Sequence, residues 1–142
     1  MNSEELRQRT KRFALSVMGI TRGLPRCTES QILGRQLFRS ATSVAANYRA
    51  AGRARSRAEF ISKLSIVVEE IDESLFWLEL IEDSKLTSGL NFDYVKGEAT
   101  ELVRIFAASR KTAKQNLNKS PNRQIAKSPD PDLRNVPPSL FN

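Results

Sequence analysis

The chain contains no histidine and a single cysteine, Cys27, among its 142 residues. Without imidazole there is no Ser-His-Asp triad and no Cys-His pair, and with one thiol no structural zinc site. One thiol also excludes an intramolecular disulfide, and Cys27, beside Arg26, reads as incidental. No 18-residue apolar run occurs, so no transmembrane helix is expected. The charged N-terminus, followed by the short and interrupted Phe13–Ile20 stretch, does not resemble a secretory signal. Proline is confined: Pro25 stands alone in the first 117 residues, and the other five fall in residues 118–142. These absences predict a cytoplasmic protein with no membrane association that is not an enzyme. No catalytic residue, cofactor or metal is assigned, and the protein is expected to act through its surface.

What is present is charge, unevenly distributed. The formal net charge is +7. Residues 1–57 hold 12 basic and 3 acidic side chains, residues 58–102 hold 3 basic and 11 acidic, and residues 103–142 hold 8 basic and 2 acidic. An excess of this size favours polyanionic partners. Blocks of opposite sign in one chain can also neutralise each other within the fold or between subunits.

Apolar residues recur with helical spacing in four segments, and no strand pattern appears. Phe13, Val17, Ile20 and Leu24 share one face of a helix over residues 4–23, which Gly23 and Pro25 stop. A second helix over 29–51 has Thr28 as N-cap and Gln31 as its capping-box partner, a seam of Leu33, Leu37, Ser40, Val44, Asn47 and Ala51, and Gly52 at a left-handed C′ position. A third over 57–83 opens with Ser56 and Glu59 as a capping box. Its stripe of Phe60, Leu64, Val67, Ile71, Leu75 and Leu78 is widened by Ile61, Val68, Phe76, Trp77 and Ile81. The loop Ser84–Asn91 precedes a fourth helix over 92–116, carrying Val95, Ala99, Leu102, Phe106, Ser109 and Ala113. Seven-residue periods joined by short loops predict an all-α fold: an antiparallel up-down-up-down four-helix bundle over residues 1–117. Residues 118–142, proline-rich and without period, predict a disordered tail dispensable for folding.

Three constellations stand out. Arg49, Arg53, Arg55 and Arg57 surround the turn between the second and third helices, and arginine forks projecting from a turn suit phosphate contacts. Small residues crowd Ser40–Gly52, which suits close helix packing or a subunit interface. Glu69, Glu70, Asp72 and Glu73 crowd the third helix. A carboxylate-only magnesium site is conceivable there. Salt bridging fits better, with Arg39 opposite Glu69 and Arg35 opposite Glu73. The apolar width of the third helix exceeds what one seam needs, which predicts association of several copies.

The stretches FALSVMGITRGLP (13–25), GRQLFRSATSVAANYRAAGRARSRAEFISKL (34–64) and EEIDESLFWLELI (69–81) resemble the bacterial four helix bundle protein family, first known from intervening sequences of 23S rRNA genes. The resemblance covers roughly residues 6–115. It implies an up-down bundle assembled as a homopentamer. In a related branch, the accessory protein of diversity-generating retroelements, it implies binding of nucleic acid and of a reverse transcriptase. The expected function is a non-catalytic oligomer that binds RNA or DNA through Arg49, Arg53, Arg55 and Arg57. The alternative is a self-assembling protein scaffold that binds no nucleic acid.

Overall fold

A computed structural model describes residues 1–119, and the tail expected from 118 lies, from residue 120 on, outside the described residues. Four helices follow one another: α1 Ser3–Arg22, α2 Thr28–Ala51, α3 Arg57–Ser84 and α4 Phe92–Lys119. Each packs on its sequence neighbour, and α4 returns to touch α1 more lightly. Short connections force antiparallel neighbours, so the start of α1, the end of α2, the start of α3 and the end of α4 share one end of the bundle. This is the expected all-α four-helix architecture. No strand occurs among the described residues.

The ends show which local signals the backbone uses. Asn2 caps α1 through Glu5 N–H, while the Glu5 carboxylate returns to the Asn2 N–H, a complete capping box one turn before the apolar stripe begins. Ser56 accepts from Glu59 N–H as expected, but the Glu59 carboxylate accepts from Arg55 N–H. Thr28 is not the cap of α2. Cys27 holds that position; its thiol donates to the Ser30 hydroxyl at 3.3 Å rather than capping a helix N–H, and its carbonyl takes Gln31 N–H. Gly52 is also not left-handed: its φ of −66° continues the right-handed turn. The reversals in sign fall instead at Lys85 (φ 59°) and Gly89 (φ 86°), in the connection to α4. A left-handed Lys85 ends α3 as glycine would, at a strain that only a few side chains accept.

The core is one cluster drawn from all four helices, with Phe13, Val17, Leu37, Val44, Leu64, Val67, Ile71, Leu78, Leu102 and Phe106 essentially inaccessible. On α2 the buried seam runs Leu37, Ala41, Val44, Tyr48 and Ala51, with Ser40 beside it. Asn47, expected inside, is only half-buried. Its amide donates back to the carbonyl and hydroxyl of Ser43. The site of deep burial one residue on is taken by Tyr48, whose ring lies 4.9 Å from Phe106 at 49°. The small residues of α2 do pack closely. A Cβ on buried Gly34 would stand 3.3 Å from Leu24 Cδ1. Ser40 and Ser74 place their hydroxyls 2.8 Å apart between α2 and α3.

Most of the apolar excess of α3 is absorbed within the chain. Phe60, Ile61 and Ile81 are buried, Val68 and Trp77 are partly covered, and only Phe76 of that set stands exposed. Most of the width of the α3 stripe thus reflects contact with two neighbours, α2 and α4, with Phe76 and Leu80 left on the surface.

Candidate functional site

Where the start of α1 meets the end of α2, their side chains border an open groove of about 780 Å³. Its floor is set by Ala45, Ala46 and Gly52, which leave room because none carries more than a methyl group. Its walls carry Arg7 and Lys11 from α1, Arg49 from the end of α2 and Arg53 from the turn after it. Arg7 and Lys11 are one helical turn apart on α1, while Arg49 lies in the last turn of α2 and Arg53 in the turn that follows it, so each side of the groove contributes two cations. Gln8 is the remaining lining residue, and no carboxylate borders the groove.

The groove cations are mostly unneutralised. Arg7 forms an ion pair with Glu4 within the first turn of α1, and hydrogen bonds from Gln8 and Arg7 hold the Glu4 carboxyl below its usual range. Among the described residues, Lys11, Arg49 and Arg53 have no ion-pair partner. The structure therefore places Arg49 and Arg53 together, as sequence alone expects, and adds Arg7 and Lys11. Arg55 lies at the same end, its side chain 91% exposed and its Nε 3.9 Å from Glu59. Arg57 does not share this surface. It is 7% exposed because it stands one turn before Phe60 and Ile61 and two before Leu64 on the inward face of α3.

Reasoning along the sequence misses Arg7 and Lys11 because only the α1–α2 packing brings them to the turn. The available signal is their four-residue spacing on the face away from Phe13.

The acidic block of α3 divides in two. Glu70 and Glu73 meet Arg39, with Nη–Oε distances of 3.7 and 2.6 Å, and Glu73 also accepts from Trp77 Nε1 at 3.1 Å. The expected pairs, Arg39 with Glu69 and Arg35 with Glu73, do not form. The register of α3 against α2 is offset by up to a full turn, and Arg35 has no ion pair among the described residues. Glu69 and Asp72 face outward without ion pairs. No group of three or more His, Cys, Asp or Glu residues suited to holding a metal exists among the described residues. No helix there is long and apolar enough to cross a membrane.

Two cross-helix pairs tie α4 in place. Arg9 on α1 donates through Nε and Nη2 to both oxygens of Glu98, at 2.6 and 2.9 Å, and that bond raises the Arg9 pKa. Lys96 donates to Glu82 of α3 at 2.6 Å, which raises the Lys96 pKa. Burial pushes the Tyr48 hydroxyl up to about 12.

The family model described as 23S rRNA-intervening sequence protein matches residues 3–108. No curated protein matches the chain. A crystal structure at 1.70 Å resolution of a protein of unknown function from the S23 ribosomal protein family of Bacteroides thetaiotaomicron VPI-5482 is 28% identical. The likeness covers 78% of this chain and 98% of that one, with a TM-score of 0.71. The matched span takes in α1, α2, α3 and most of α4, including every residue of the groove. The chain belongs to the 23S rRNA-intervening sequence protein family.

Proposed function

We propose that the protein is a non-catalytic nucleic-acid-binding protein that takes RNA, or an RNA–protein complex, at the groove between α1 and α2. The observation that carries this reading is the groove itself: four cations on its walls, no carboxylate among them, and a floor of small residues open to a phosphate backbone. Four side chains of one sign in a concave site focus the field they share. Arginine forks and a lysine suit phosphate oxygens, and the lining carries no aromatic ring for stacking bases. The reading is therefore of backbone binding with little sequence preference. Further cations at the same end, Lys111, Lys114 and Lys119 on α4, widen the positive surface.

Self-association belongs to this proposal. Leu15, Ile32 and Phe38 are exposed on α1 and α2, and copies joined there present several grooves to one polyanion. Repetition converts a modest attraction per groove into tight binding through effective concentration. A homopentamer is what the family resemblance implies, and a retroelement reverse transcriptase is the protein partner implied for that branch.

Filter binding of a structured RNA at two salt concentrations tests the reading, beside light scattering of the free protein. For every phosphate that a variant leaves unneutralised, the slope of log affinity against log salt should become shallower by about 0.7–0.9. Replacing Lys11, Arg49 and Arg53 together by Gln should flatten that slope and weaken binding without lowering the melting temperature. Equal affinity of parent and variant would return the protein to the scaffold reading, in which it assembles with proteins alone.

A further inference from the structure

The half of α3 remote from the groove carries a different surface. Phe76 and Leu80, one turn apart, are 52% and 39% exposed. The Phe76 ring is not loose. It meets Trp77 edge-on, centroids 4.9 Å apart at 67°, and Trp77 is itself fastened through Glu73 to Arg39 of α2. An ordered aromatic ring facing water is an apolar anchor without a partner. Around it, at three- and four-residue spacing on the same outward face, stand Glu69, Asp72, Glu79 and Asp83, all exposed and none in an ion pair among the described residues. The protein as a whole carries net positive charge, so this strip is a local reversal of sign.

From this arrangement we infer that the outward face of α3 over residues 69–83 is a docking surface for a cationic amphipathic helix of a partner protein. The complement follows from the pattern. Two apolar side chains one turn apart call for leucine-like residues at i, i+3 or i+4 spacing on a facing helix, and the surrounding carboxylates call for Lys or Arg at its edges. Charge of the opposite sign at the rim speeds encounter and sets orientation, while the apolar centre supplies the affinity. A polyanion is repelled from this strip. The groove lies at the other end of the bundle, about 30 Å away along α3 at 1.5 Å per residue. The two surfaces can be occupied together, and this inference does not rest on the groove's role.

The test uses the full chain and a synthetic helix of about 18 residues with leucines on one face and lysines elsewhere, read by fluorescence anisotropy. A second peptide has its leucines replaced by alanine. The parent should bind the leucine peptide, and Phe76→Ala with Leu80→Ala should weaken binding about tenfold or more. Glu69→Gln with Asp72→Asn should weaken it less, and added salt should narrow that difference. All four positions are exposed, so the variants should fold as the parent does, as a thermal melt checks. Unchanged peptide affinity in the Phe76 and Leu80 variant, or equal affinity for the alanine peptide, would overturn the inference. A fall in the light-scattering mass of that variant would overturn it too, by assigning the face to a second copy of the chain.

Discussion

Two of the seams between helices are built on opposite principles. Between α2 and α3 the contact is extensive and its centre is uncharged: Leu37, Ala41 and Val44 of α2 and Leu64, Ile71 and Leu78 of α3 are fully buried, two serine hydroxyls meet inside, and the Arg39 ion pairs lie at the exposed edge. Between α1 and α4 the contact is slight, and its strongest directional tie is a paired hydrogen bond, Arg9 to Glu98, with both side chains about one-fifth exposed. Dense apolar packing resists any change of volume. A clasp of charges tolerates neighbours of many shapes but depends on two residues. This bundle is accordingly rigid along its central hairpin and conditional where its first and last helices meet.

The dense seam should be the more sensitive to substitution. Leu37→Ala should cost about 2–5 kcal/mol, because a fully buried side chain leaves a cavity that close-packed neighbours cannot fill. Chemical denaturation should show a lower midpoint with an unchanged slope. On the conditional side, Glu98→Ala should cost about 1–3 kcal/mol, since a charge-assisted pair is removed and Arg9 stays partly covered without its acceptor. Amide exchange should quicken in α1 and the first half of α4 before it does in α2 or α3. Equal acceleration in all four helices would count against a seam that opens on its own.

Alkaline pH probes the same contrast through Tyr48, which α2 turns toward Phe106 of α4. The Tyr48 hydroxyl ionises near 10 in an unfolded chain and is pushed up to about 12 in the fold, burial being the cause. The neutral form is thus favoured by folding. Its contribution is fully present below pH 10 and is lost as the pH rises toward 12. Tyr48→Phe should remove that component of alkaline unfolding while leaving the neutral-pH melt little changed. The smallest effect is expected at Arg39. Its side chain is 52% exposed against Glu70 and Glu73, so Arg39→Ala should cost under about 1 kcal/mol, less again at high salt.

How much of this is legible in the residues alone follows from which interactions are local. Helix boundaries and the four-helix architecture are accessible because they rest on apolar spacing and on stops such as Pro25. The core of α2 is legible at Leu37, Val44 and Ala51 but not at Tyr48. A four-three seam through Asn47 and one through Tyr48 differ by a rotation of one residue, and only the position of Phe106 decides between them. That Arg39 faces acids can be read from the sequence, but its partner depends on an axial offset between α2 and α3 that loop length does not fix. The groove is half visible. Arg49 and Arg53 are near neighbours in the chain, whereas Arg7 and Lys11 are distant in sequence and join them only through tertiary packing. Arg57 is misplaced when its charge is weighed above its helical phase with Phe60 and Leu64.

The antiparallel course of the helices also decides what a tether can reach. α1 begins and α4 ends at the end of the bundle that holds Arg49 and Arg53. A segment attached ahead of Asn2 is therefore leashed at the end of the bundle that holds the groove, where it competes for space with the proposed polyanion. A fluorescent fusion at the N-terminus should depress the measured on-rate for a polyanion, and less so as the linker lengthens, because the local concentration of a tethered group falls with its tether. A label placed near Gly89, in the connection at the far end, should leave that rate untouched. Comparing the two labelling schemes in stopped flow turns the direction of the chain itself into a measurable quantity.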